Sequence, residues 1–263
     1  MNNNIEKKKR QKELTEKLNA ASRAYYQEAR EILSNYEYDA LYDELAALEK
    51  ETGTVLAGSP TAHVGYEVLS ELPKERHESP MLSLDKTKDR DALAAWIGEH
   101  RTLLSWKLDG LTIVLTYRNG GLFKAVTRGN GEVGEVITNN ARVFKNVPLR
   151  IPFQGELVLR GEAVIGYHEF ERINEEIPEA DAKYKNPRNL CSGSVRQLNN
   201  EITAKRNVHF FAFALVRAEG MDFENSREKQ FLWLKEQGFD VVEYKVVTGA
   251  TLSENMDWFA EHI

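Results

Sequence analysis

Lys107-Leu108-Asp109-Gly110 sets an amine nucleophile two residues before a carboxylate, at the head of an alternating apolar stretch from Leu111 to Tyr117. On a strand, residues two apart share a face, so Lys107 and Asp109 are expected to look into one pocket while Gly110 lets backbone or ligand come close. Those groups suit covalent catalysis by a lysine. Taken alone, the tetrapeptide reads better as a strand-edge salt bridge followed by a turn glycine.

Three later segments change that balance. Thr127-Arg128-Gly129-Asn130-Gly131 ends a second alternating run, and Leu159-Arg160-Gly161-Glu162 closes a third. Asn186-Pro187-Arg188-Asn189, with Ser192 to Leu198, makes a polar, glycine-containing fourth element. In this order and spacing the set resembles the adenylation domain of the NAD-dependent bacterial DNA ligases, within the covalent nucleotidyltransferase superfamily. The resemblance extends upstream through Ser59-Pro60-Thr61, Val64-Gly65, the run from His77 to Asp85, and Tyr38-Asp39 with Tyr42. It covers about residue 12 to about residue 245.

The resemblance implies a role for each matched position. Lys107 is the nucleophile that accepts AMP from NAD with release of nicotinamide mononucleotide (NMN), and Asp109 helps position it and the leaving group. Glu162 takes the ribose hydroxyls, Phe213 stacks on adenine, and the backbones of Ser83 and Leu84 line the adenine pocket. Arg128, Arg188 and Arg196 match phosphate-screening positions, where a guanidinium fork fits phosphate oxygens. In the N-terminal helices, Tyr25, Tyr26, Asn35, Tyr38 and Asp39 match the NMN-holding element. Nicked double-stranded DNA is the implied partner and Mg2+ the implied metal of the full-length reaction. The zinc module and further DNA-binding domains of relatives are expected to lie outside this chain, leaving its adenylation domain incomplete at the C-terminal end.

Several positions depart from the family pattern. The Tyr-His pair is Tyr25-Tyr26, and the first acid of the Asp-x-x-Tyr-Asp element is Asn35. Ser105 replaces a glutamate two residues before the lysine, Asn130 an aspartate, and Val136 another acid. These changes motivate an alternative, a divergent nucleotide-binding paralogue that does not adenylate. An ATP-using RNA ligase or capping enzyme is disfavoured by the N-terminal helices.

Bland readings stand beside the functional ones. Arg188 and Arg196 read as surface arginines, Phe213 as core, Glu162 with Arg160 as a strand-face pair, and Cys191 as a small packing residue. The chemistry itself is demanding: an ammonium has no lone pair, and a lysine with a reference pKa of about 10.4 must be made neutral before it can attack phosphorus. Burial between sheets is expected to help.

Two helices are expected over about residues 5–50, from Leu14, Leu18, Ala21 and Tyr25, then Tyr38, Leu41, Leu45 and Leu48, with a joint near Ser34-Asn35. Residues 52–80, rich in Gly, Pro, Ser and Thr, read as a linker lying along a larger domain. The division is placed as 1–70, a helical NMN-binding module and linker, and 71–263, the adenylation domain. A short helix is expected over about 90–100, strands over 103–118, 122–128, 157–165 and 208–217, and helical pieces near 136–144, 167–178 and 226–237. Asn119-Gly120-Gly121 reads as a hairpin turn, so the sheet is antiparallel and the class α+β. That topology disposes of Gly129 to Gly134 as a dinucleotide-binding fingerprint, which needs a parallel βαβ unit.

Composition sets outer limits. A hydrophobic share of 41% is ordinary for a globular protein, and the net charge of -6 excludes a strongly basic autonomous DNA clamp. The single cysteine offers no internal disulfide and no CxxC zinc site, so no metal ligands are assigned. With no apolar leader in the first ten residues, a cytoplasmic protein without membrane attachment is expected, acting as a monomer.

Overall fold

The structure, a computed structural model, describes residues 2–28, 32–62, 71–81, 84–178 and 183–262, with side chains for all of these except 2, 3, 23, 25–28, 35 and 36. Two long helices come first, α1 (Asn2–Glu28) and α2 (Asn35–Thr52). The joint falls where the sequence placed it. The Ser34 hydroxyl accepts from the Glu37 N–H while the Glu37 carboxylate takes the Ser34 N–H, a reciprocal cap that fixes where α2 begins.

Leu14, Leu18 and Leu45 are fully buried between these helices, with Tyr38, Leu41, Tyr42 and Leu48 packed around them. This is the three- and four-residue spacing of the sequence turned into a seam. So small a core is easily emptied. Leu18→Ala is expected to cost about 2–5 kcal/mol and to melt the helical pair ahead of the sheet. A calorimetric trace unchanged from wild type would contradict this.

The chain then runs β1 (Val55–Leu56), β2 (Lys74–Arg76), α3 (Arg90–Ile97), β3 (Thr102–Ser105), β4 (Leu111–Arg118), β5 (Gly121–Thr127), β6 (Val133–Glu135), α4 (Thr138–Ala141) and β7 (Pro148–Arg150). It continues with β8 (Leu157–Val164), α5 (Tyr167–Glu175), α6 (Pro187–Val195), α7 (Asn200–Ala204), β9 (His209–Ala218), α8 (Arg227–Glu236), β10 (Tyr244–Val247) and α9 (Leu252–Glu261). Six strands form one antiparallel sheet in the order β1-β7-β5-β4-β8-β9, and β10-β3 and β2-β6 form two small antiparallel pairs. The class is α+β. Asn119 and Gly120, with φ of 50° and 74°, make the two-residue turn between β4 and β5, the left-handed pair a tight hairpin requires.

One face of the large sheet is core. Ile113, Leu115, Leu157, Leu159, Ala163 and Phe210 pack there against Ile173 of α5, Leu190 and Val195 of α6, and Phe231 and Leu234 of α8. The alternate residues Thr112, Val114, Arg160 and Glu162 lie on the opposite, more open face, as a period of two dictates. The segment read as a linker contributes β1 to the edge of this sheet. Its 63–70 stretch, with Val64, Gly65 and the boundary near 70, lies outside the described residues.

The single strand expected over 103–118 is broken at Trp106–Gly110. The reason is a change of partner: β3 pairs with β10, whereas β4 pairs with β5 and β8, so the chain must cross between two sheets. The alternation survives without the strand. Trp106 and Leu108 pack against the core while Ser105, Lys107 and Asp109 are exposed. The helix expected near 136–144 is the single turn of α4, because after Ala141 the chain turns down into the core with Val143, Phe144 and Val147.

The helical pair docks on the sheet domain near the end of α8. Lys8 Nζ meets the Glu236 carbonyl, Lys12 pairs with Asp240, and Gln11 Nε2 donates to the Thr54 carbonyl at 3.0 Å.

Candidate active site

The connector Trp106–Gly110 presents Lys107 and Asp109 on one exposed side. Asp109 Oδ1 receives Arg188 Nη1 at 2.9 Å, the two side chains being 70% and 59% exposed. Arg188 sits in the first turn of α6, whose start is fixed by Asn186 accepting from the Asn189 N–H and by Pro187 at the first helical position. The buried side of α6, with Leu190, Cys191, Ser194 and Val195, holds it against the sheet. Exposure at Lys107 corrects the expectation of burial between sheets: the fold delivers the amine on a surface connector between two sheets.

Glu162 stands across from Thr112 on β8. Its Oε2 accepts from the Thr112 hydroxyl at 2.7 Å and its Oε1 from the Gly110 N–H at 3.1 Å, tying the strand to the connector that carries Lys107. Burial pushes the Glu162 carboxyl above its ordinary pKa, against the pull of the Thr112 hydroxyl, the Gly110 amide and then the positive charges of Lys107 and Arg188. Lys107 and Arg188 are thus near Glu162, and Asp109 joins them through its hydrogen bond from Arg188.

A Glu whose folded pKa is raised stabilises the fold fully below its unfolded pKa, and that contribution is lost as pH rises through the folded value. Glu162→Gln is therefore expected to raise thermal stability at pH 8 while giving little gain at pH 4. Nucleotide binding should weaken at the same time. Equal melting shifts at both pH values would sink the assignment of burial as the dominant cause.

The three arginines do not converge. Arg128 Nη2 donates to the Met81 carbonyl at 3.2 Å, and its backbone N–H donates to Thr112 at 2.9 Å. Arg196 pairs with Glu135 of β6, which holds its guanidinium more firmly protonated. Arg188 alone of the three reaches the Lys107 connector through a hydrogen bond. Phe213 is 38% exposed at an irregularity of the β8–β9 pairing, close to Phe211, which lies opposite Glu162. Leu84 is 88% exposed, and Ser83 lies outside the described residues.

In the helical pair, the Tyr38 hydroxyl bonds Ser22 at 3.0 Å and its ring stacks with Tyr42 at 6.5 Å, so it packs α1 on α2. Asp39 is exposed. The side chains of Tyr25, Tyr26 and Asn35 lie outside the described residues. Among the described residues, no hydrogen bond or ion pair joins Tyr38 or Asp39 to Lys107, Asp109, Glu162 or Arg188.

Sequence reasoning missed Thr112, which links Glu162 to Arg128, and Glu135, which holds Arg196. Thr112 could have been found as the first open-face residue after Gly110. Glu135 carries no comparable signal. Asn130 in place of aspartate keeps a structural role: its Oδ1 accepts from the Glu132 and Val133 N–H groups at 2.9 and 2.8 Å, closing the turn that follows Arg128.

Comparison with known proteins decides the family. The NAD-dependent DNA ligase adenylation domain matches residues 69–261, and the N-terminal NAD+-binding domain of DNA ligase-like proteins matches residues 4–65. The chain belongs to the NAD-dependent DNA ligase adenylation family. A DNA ligase of Lachnoclostridium phytofermentans is 69% identical over 98% of this chain and 39% of the relative. One from Ruminiclostridium cellulolyticum is 62% identical over 96% and 38%, and one from Alkaliphilus oremlandii 39% identical over 89% and 37%. The chain thus spans about two fifths of the length of these curated relatives. Neither the family matches nor the relatives favour the non-adenylating alternative.

The groups gathered near Lys107 are an amine, a guanidinium and a half-buried carboxylate, types able to meet phosphate oxygens and hydroxyls. Among the described residues, no group of three or more His, Cys, Asp and Glu side chains could hold a metal ion, and no helix is long and apolar enough to cross a membrane.

Proposed function

We propose that this chain is the part of an NAD-dependent DNA ligase in which Lys107 accepts AMP from NAD. The observation that carries the reading is the joint placement of Lys107, Asp109, Glu162 and Arg188, tied together by the Gly110 and Thr112 hydrogen bonds. The Lys107 Nζ lone pair attacks the α-phosphorus of NAD. A phosphorus–nitrogen bond forms, the pyrophosphate bond to NMN breaks, and the amine gives up its proton. Because Lys107 is exposed, the bound nucleotide itself excludes water at the amine. Arg188 ties Asp109 of the connector to α6 and adds positive charge where the leaving group departs.

AMP then passes to the 5′-phosphate of nicked double-stranded DNA in the whole ligase, and the 3′-hydroxyl seals the nick. The magnesium ion of the full-length reaction would be held mainly by phosphate oxygens of the substrates. The protein works in the cytoplasm, a reading that its single, buried cysteine suits, and acts as a monomer. We divide it at about residue 70 into a helical module for NMN and the adenylation domain. Tyr25, Tyr26, Asn35, Tyr38 and Asp39 serve the module, and Ser83, Leu84, Arg128, Arg196 and Phe213 line the AMP site with Lys107.

Incubation of the whole ligase with NAD, read by intact mass, tests the reaction: one AMP adduct is expected, with NMN released, and slow or no adduct from this chain alone. The two-part reading of the ligand has its own test. Asp39→Ala should weaken NAD binding at least about tenfold and leave AMP binding within about twofold, the loss of one charge-assisted contact. Equal losses for the two ligands would contradict a separate NMN module.

A further inference from the structure

One cleft gathers more lysines than carboxylates. Lys8, Lys9 and Lys12 of α1 face Lys235 of α8 across a space of about 620 Å³, closed on one side by the segment Phe239 to Tyr244. Four lysines line it against two carboxylates, Asp240 and Glu243. Both carboxylates are engaged. Asp240 holds Lys12 and also accepts from Asn146 Nδ2 at 2.9 Å, and Glu243 accepts from Trp106 Nε1 at 3.2 Å.

Docking of the helical pair accounts for two of the lysines. Lys12 has Asp240, and Lys8, only 4% exposed, has the carbonyl of Glu236 at the end of α8, where partial negative charge gathers. A neutral carbonyl is a poor counterpart for a buried ammonium, and burial followed by repulsion from Lys12 brings the Lys8 pKa down to about 8. Docking leaves Lys9 and Lys235 unexplained. Neither has a carboxylate partner among the described residues; Lys9 is exposed, and Lys235 lies 5.2 Å over the Tyr244 ring.

We propose that this cleft is a second anion site, separate from the Lys107 cluster, which takes a small phosphate anion of multiple charge. Its volume is that of a small-molecule pocket, and converging ammonium groups suit phosphate oxygens. The lysines come from both parts of the chain, so a bound anion bridges α1 to the sheet domain and strengthens their docking by mass action. It is also felt at the nucleophile's segment, because Glu243 on its wall holds Trp106, the neighbour of Lys107. This site does not depend on the adenylation reading.

Pyrophosphate is the probe. Calorimetric titration into the full chain, with AMP at saturation, should show one saturable site. Lys235→Met and Lys9→Met should each weaken it about tenfold, and Lys107→Ala should leave it unchanged. Both lysines reach solvent, so the variants should retain the wild-type circular dichroism; Lys235→Gln and Lys9→Gln provide a second pair. Displacement of pyrophosphate by AMP, loss of binding in Lys107→Ala, or wild-type affinity in the double variant would each overturn the proposal, and so would binding that never saturates.

Discussion

Lys107→Ala is expected to abolish the AMP adduct, by more than about a thousandfold, or about 4 kcal/mol of barrier. No neighbouring group can take over. Asp109 is held by Arg188, and Glu162 is held by the Gly110 and Thr112 donors. The Cys191 thiol is buried with its pKa pushed up to about 12, which keeps it a thiol at neutral pH. Lys107→Arg should fail as completely, since a guanidinium keeps its proton and offers no lone pair. Intact mass after incubation with NAD reads both variants. An adduct that persists in either would move the nucleophile elsewhere, even though nucleotide binding should survive in Lys107→Arg.

What the sequence made legible, and what it hid, follows from how local each cause is. The α1–α2 seam and the Asn119-Gly120 turn were readable because periodicity and left-handed backbone are set within a few residues. The break at Trp106–Gly110 was not. Alternating burial continues straight through it, and only the distant partners Tyr244 and Glu162 reveal that two sheets meet there. α6 was legible only as a helix-rich stretch without bounds: Ser192-Gly193-Ser194 carries no apolar stripe, and its helical signal lies in Asn186-Pro187 at the start.

For the candidate site, the ordered motifs pointed to Lys107, Asp109, Glu162 and Arg188, which the fold does bring together. Arg196 is not joined to them by hydrogen bonds, and Arg128 is joined only through its backbone N–H to Thr112, its guanidinium turning elsewhere. Both hold local partners, the Met81 carbonyl and the Glu135 carboxylate, that lie far away in sequence. Motif order therefore identified residue types better than it identified pairings.

The same distinction makes Gly110→Ala the most informative backbone change. A Cβ at Gly110 would stand 1.9 Å from the Ala163 carbonyl oxygen and 2.9 Å from its carbon, so backbone must move. That carbonyl also receives the Cys191 thiol at 3.1 Å, and Leu111, the next residue, lies opposite Ala163 in the β4–β8 pairing. Relief has to come from pushing the connector outward, which stretches the Gly110 N–H bond to Glu162 and carries Lys107 with it. Overpacking of this kind costs about 1–3 kcal/mol of stability, and a displacement of about 1 Å at reacting groups costs about a hundredfold in rate. Denaturant unfolding and the rate of adduct formation should therefore both fall in Gly110→Ala, the rate by far more than the loss of folded protein explains. Gly166→Ala is the control, since a Cβ there meets nothing within 4 Å. If Gly110→Ala matched the control in both measurements, the connector would be free to shift, and its tie to Glu162 could not be what positions Lys107.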